Sequence, residues 1–170
     1  MSTGEDARRS IGRSQEHRRR MSFLENIFTQ LEAARNPLVL RELHPDGGTL
    51  VISGRELLDL VGKARALLAS KKLNKGERCA LLGHNSIAWI AMDLAIMAEG
   101  LIVVPLYARQ AAAELVAMMK DCSPALICCG DAALRDGIVE SWPDAPPQFL
   151  CNDIFASSTA GITTNSRPTD

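Results

Sequence analysis

Aromatic side chains are scarce in this 170-residue chain, at 4%, with one tyrosine, two tryptophans and four phenylalanines. So few rings give no stacking platform for single-stranded nucleic acid. Charge of one sign is lacking as well: 19 basic and 20 acidic residues leave a net charge of -1, with no global attraction to nucleic acid or to an anionic membrane. No apolar run is long enough to cross a bilayer, because Ile87 to Ala98 and Leu101 to Leu106 are broken by Asp93, Glu99 and Gly100. No secretory signal is visible, since no apolar stretch of about seven residues follows the N-terminal arginines. The five cysteines (Cys79, Cys122, Cys128, Cys129, Cys151) are odd in number and lack C-x-x-C spacing, which argues for buried free thiols in a reducing compartment. A soluble, cytoplasmic protein is expected.

Metal and phosphate signatures are missing too. The three histidines, His17, His44 and His84, fall in separate loops, with no H-E-x-x-H and no carboxylate pair at ligand spacing. Cys128 and Cys129 are adjacent on an expected strand and point to opposite faces, so they cannot clasp one ion. Neither G-x-G-x-x-G nor G-x-x-x-x-G-K-[ST] occurs. A dinucleotide site or a P-loop is therefore not expected.

What is present reads as one domain, with 46% apolar residues to build a core. Residues 1–20 carry Arg8, Arg9, Arg13, Arg18, Arg19 and Arg20 without an apolar face, and are expected to form a mobile basic arm. Two S-x-x-E capping boxes, Ser22 with Glu25 and Ser53 with Glu56, open amphipathic helices at about Phe23 to Arg35 and from Ser53 to near Ser70, the latter ending in a lysine-rich turn. Pro37 stops the first helix. Between the two helices, Pro37 to Leu43 and Thr49 to Ile52 flank His44-Pro45-Asp46-Gly47-Gly48, a hairpin.

From Arg78 onward the pattern alternates strands and helices. Strands are expected at Arg78–Leu82, Leu101–Leu106, Ala125–Cys129 and Gln148–Cys151. Helices are expected at Ser86–Glu99, Ala111–Cys122 and Asp131–Trp142. Strands joined by helical crossovers pair in parallel. The fold class is thus α/β: a doubly wound, mostly parallel sheet with helices on both faces, preceded by an N-terminal helix and a β-hairpin. It should occupy residues 21–155, with the polar residues 156–170 as a disordered tail.

Ligands of open α/β sheets bind outside the carboxyl ends of the strands, which makes His84 a candidate for lining a substrate crevice. His84 and Ser86 do not form a nucleophile elbow, because Ala88 and Trp89 stand where G-x-S-x-G needs its second glycine. Ser86 is read as a helix cap, and so is Asp131, whose sheet lacks the further acidic residues a magnesium site would need.

Four runs carry a resemblance: Ser53-Gly54-Arg55-Glu56-Leu57, Leu73-Asn74-Lys75-Gly76-Glu77-Arg78-Cys79-Ala80-Leu81-Leu82, Asn85-Ser86-Ile87-Ala88-Trp89, and Ala98-Glu99-Gly100-Leu101-Ile102-Val103-Val104-Pro105-Leu106-Tyr107. In order and spacing, over residues 22–152, the chain resembles the N-terminal part of the AMP-forming acyl-CoA synthetases of the adenylate-forming superfamily. Asp93 to Gly100 followed by Val104-Pro105-Leu106-Tyr107 is most similar to the long-chain fatty acid branch. The resemblance implies a full-length enzyme that uses ATP, Mg2+ and CoA and takes a fatty acid or other carboxylic acid through an acyl-adenylate to a thioester. It also implies that Arg135, just after the third strand of the sheet, contacts a CoA phosphate, although Ile138 replaces the second arginine of that pair.

The family's T-S-G-T-T-G-x-P-K loop is missing, and Ser157 to Thr164 echoes it without the second glycine and the lysine. Without those donors this chain alone is expected to be inactive and to bind none of the cofactors. It reads as an N-terminal ligase fragment. The alternatives are a stand-alone, non-catalytic module that binds a ligand or protein, and a small hydrolase or phosphate-binding enzyme using His84 and Asp131. An apolar surface left bare on the isolated chain would make it self-associate.

Overall fold

The computed structural model describes residues 22–35, 38–45 and 47–155. The basic arm, the C-terminal tail, the stop at Pro37 and the turn residue Asp46 lie outside the described residues.

Both capping boxes form. At α1 (Phe23–Ala33) the Ser22 hydroxyl accepts from the Glu25 N–H while the Glu25 carboxylate accepts from the Ser22 N–H at 2.7 Å. Ser53 and Glu56 repeat the arrangement at α2 (Gly54–Ser70). Leu24, Ile27, Phe28 and Leu31 turn inward, whereas Phe23 is 75% exposed. The lysines expected in the last turn of α2 lie beyond it, since Lys71 is already the C-cap. Between these helices β1 (Leu40–Leu43) and β2 (Thr49–Ile52) form the antiparallel hairpin, pairing Leu40 with Ile52 and Leu43 with Thr49.

The sheet has four strands, β3 (Arg78–Gly83), β4 (Ile102–Tyr107), β5 (Leu126–Cys129) and β6 (Gln148–Leu150), in the order β4-β3-β5-β6. Every pairing is parallel, as the crossovers require. The connecting helices are α3 (Ile87–Ala98), α4 (Ala112–Cys122) and α5 (Ala132–Ser141). α3 ends at a glycine: Gly100 takes φ 73°, its N–H reaches the Met97 carbonyl, and the Leu101 N–H reaches the Ile96 carbonyl. That pair of bonds needs a left-handed residue, which glycine adopts without cost.

The core lies on both faces of the sheet. On one, Cys79, Leu81, Leu126 and Cys128 pack with α2 and α3 and with Cys151 and Phe155 of a short helix, α6 (Cys151–Phe155). On the other, Ala80, Leu82, Ile127 and Cys129 pack with α4 and α5. α3 is covered by α2 and α6 as well as by the strands, so the sheet is only part of what buries it.

Candidate functional site at the switch point of the sheet

From β3 the chain crosses to β4 on one side, then returns past β3 to place β5 on the other. This reversal marks the carboxyl ends of β3 and β5 as the place where an open α/β sheet takes a ligand, because the loops that follow those strands lead to opposite faces. Gly83 and Gly130 stand there. The Gly130 N–H donates to the Leu82 carbonyl at 2.6 Å, and a Cβ on Gly130 would come within 3.0 Å of the Gly83 Cα. Two residues without side chains let the strand ends approach this closely.

His84 follows Gly83 and is exposed, with no side-chain partner among the described residues. Ser86 is the expected cap: its hydroxyl accepts from the Trp89 N–H at 3.1 Å. Asp131 caps α5, accepting from the Leu134 N–H at 2.9 Å. A serine and an aspartate engaged in this way are not poised as nucleophile or base. Arg135 lies one turn into α5 on the same edge, and its Nε and a terminal nitrogen both donate to Oδ1 of Asp136, at 2.9 and 2.8 Å. The fold thus brings His84, Asp131 and Arg135 to one edge.

Two residues there were not singled out from sequence. Tyr107 ends β4 in register with Gly83 and is 62% exposed, with the Arg109 guanidinium 5.9 Å from its ring centroid. Tyr107 directly follows the expected strand Leu101–Leu106, which was the available signal, but only the strand order puts it beside Gly83.

The thiols below this edge are protonated. Burial, aided by the Asp131 carboxylate and opposed by Arg135, pushes Cys129 up to about 12. Among the described residues no group of three His, Cys, Asp or Glu could hold a metal ion. No glycine-rich loop frames a triphosphate among them either.

The sequence profile of the AMP-binding enzymes matches residues 32–163, most of the chain. The chain belongs to the AMP-binding enzyme family. Fumosorinone synthetase of Cordyceps fumosorosea (strain ARSEF 2679) is 32% identical to it over 113 residues, 65% of this chain and 3% of that protein. Among solved structures, IdnL1 shares the fold with a TM-score of 0.65 at 24% identity, covering 86% of this chain and 28% of that one. ATP-bound MatB from Rhodopseudomonas palustris has a TM-score of 0.58 at 21% identity, covering 85% and 30%. At such identities these two structures show the fold. The chain spans less than a third of either solved chain.

Proposed function

We propose that this chain is the N-terminal α/β part of an ATP-dependent, AMP-forming fatty acid:CoA ligase, and that its switch-point edge walls part of the acyl and CoA crevice. One observation carries the reading: an AMP-binding family unit whose switch-point edge presents His84, Tyr107 and Arg135, with no phosphate-gripping loop among its described residues. The run Asp93 to Gly100 with Val104 to Tyr107 supports the long-chain branch and hence a fatty acid as the carboxylic acid.

The described residues offer no group of side chains that could hold Mg2+ and no glycine-rich loop to frame a triphosphate, so no step of adenylation is derived through them. They fit CoA at one point. Arg135, in the first turn of α5, offers a guanidinium whose fork matches a phosphate, and releasing it from Asp136 is all that the contact requires. His84 lines the crevice beside it. Five unpaired thiols support a cytoplasmic setting, and no helix among the described residues is long and apolar enough to cross a membrane.

ATP–pyrophosphate exchange with a panel of fatty acids, run on this chain and on a longer parent, tests the reading. Exchange is expected from the parent alone. Exchange by the 170-residue chain, or a parent that activates no fatty acid, would overturn it.

A further inference from the structure

We infer that Glu42, on the β-hairpin, is a positioning residue for the switch-point edge. Its Oε2 accepts from the Ile87 N–H at 2.7 Å, across 45 residues of sequence. Ile87 is the first residue of α3 and is buried, and its N–H has no partner within the helix. The bond is partly buried and its acceptor is a carboxylate, which strengthens it and suits the positive end of the helix.

Ser86 caps the same turn, but as a local contact that forms whenever α3 forms. Glu42 adds a tie from outside. The loop of His84, Asn85 and Ser86 is therefore pinned at both ends: Gly83 sits in the ladder opposite Tyr107, and Ile87 is held by the hairpin. His84 and Asn85 are exposed between these pins. A two-stranded hairpin is marginal by itself, and here it acts as a brace that orders the loop before any ligand arrives.

The functional weight of this brace rests on the proposed role of the edge, but its test does not. Backbone amide exchange and relaxation are measured on the whole chain as wild type, Glu42→Ala and Glu42→Gln. Glu42→Ala is expected to speed exchange at Ile87 by about ten- to a hundredfold and to loosen His84 to Ser86, while Leu81 and Ile127 in the central strands stay protected. Glu42→Gln keeps an acceptor oxygen and should recover most of the protection. Unchanged exchange at Ile87 in Glu42→Ala would overturn the proposal, and so would equal acceleration through β3 and β5, the mark of a merely structural role. If the alanine chain does not fold, the glutamine chain decides: a few-fold acceleration confined to the loop supports the brace, and uniform or absent acceleration sinks it. Neither ATP, acid nor thiol enters, so a failed ligase assay leaves this result standing.

Discussion

A methyl group added at Gly130 would meet only backbone, the Gly83 Cα at 3.0 Å and the Leu82 carbonyl oxygen at 3.3 Å. Backbone held at the end of a ladder cannot rotate away as a side chain can. Gly130→Ala is therefore expected to lower stability by about 1–3 kcal/mol. Gly62 is the matched control, since it lies on the exposed face of α2 with nothing within 4 Å of an added Cβ. Gly62→Ala should raise stability by about 0.5–1 kcal/mol. Urea unfolding reads both signs, and a Gly130→Ala chain as stable as wild type would mean that the strand ends part freely. Arg135 belongs to the same scale. In a longer enzyme, Arg135→Ala should raise the KM for CoA about tenfold or more while leaving ATP–pyrophosphate exchange unchanged, because exchange precedes the thiol step. An unaltered KM would remove Arg135 from the crevice.

Elements with their own punctuation were legible in the sequence. The two S-x-x-E boxes and the glycine after α3 are local devices, and each formed where its residues stand. Parallel pairing followed from crossover length, whereas the strand order did not. What was not legible is what depends on distant partners or on too few residues. The helix α6 occupies Cys151–Phe155, and five residues cannot display a helical period, so Cys151 was read as the end of β6. Phe23 satisfied the spacing of α1 yet faces solvent, because only four of that helix's apolar residues reach the core cluster. The Glu42 bond to α3 leaves no trace at all in local sequence. The α1–α2 contact gives a prediction at this level. A Cβ on Gly54 would run into the Leu31 carbonyl oxygen, so α1 can approach α2 only over a bare glycine. Gly54→Val should undock α1, which has no fully buried residue of its own, while the parallel sheet persists. Proteolysis near α1 with undiminished protection of β3 and β5 is the expected signature. A cooperative collapse of both would show that α1 is integral to the sheet's core.

Over the whole molecule, the two faces of the sheet share a chemical trait in their buried thiols. Burial pushes Cys79 up to about 11 and Cys151 up to about 12, and holds Cys128 well above the usual thiol range. Unfolded thiols titrate near 9.0, so the folded chain keeps protons that the unfolded chain has released. The stability tied to these groups is complete below that pH and is lost as pH rises through 11 to 12. Urea midpoints should fall steeply across that window, and at pH 8 a thiol reagent should find Cys122 alone among the five until the chain unfolds. Rapid native labelling of Cys128 would contradict the packing of the face covered by α2 and α3, and of Cys129 that of the face covered by α4 and α5.

The surface of the same sheet makes the last prediction. Among the described residues β4 is an edge strand, paired only with β3, and Ile102 and Tyr107 on it are 47% and 62% exposed. An open edge invites a second chain, but Pro105 in the middle of β4 removes a backbone donor, which works against a continuous added strand. Association is then left to side chains, which makes it weak and reversible. We expect sedimentation to show dimers growing with concentration, and Ile102→Lys to suppress them without loss of stability, since that side chain is exposed in the monomer. A chain that stays monomeric at high concentration would mean that proline and solvation are enough to close this edge.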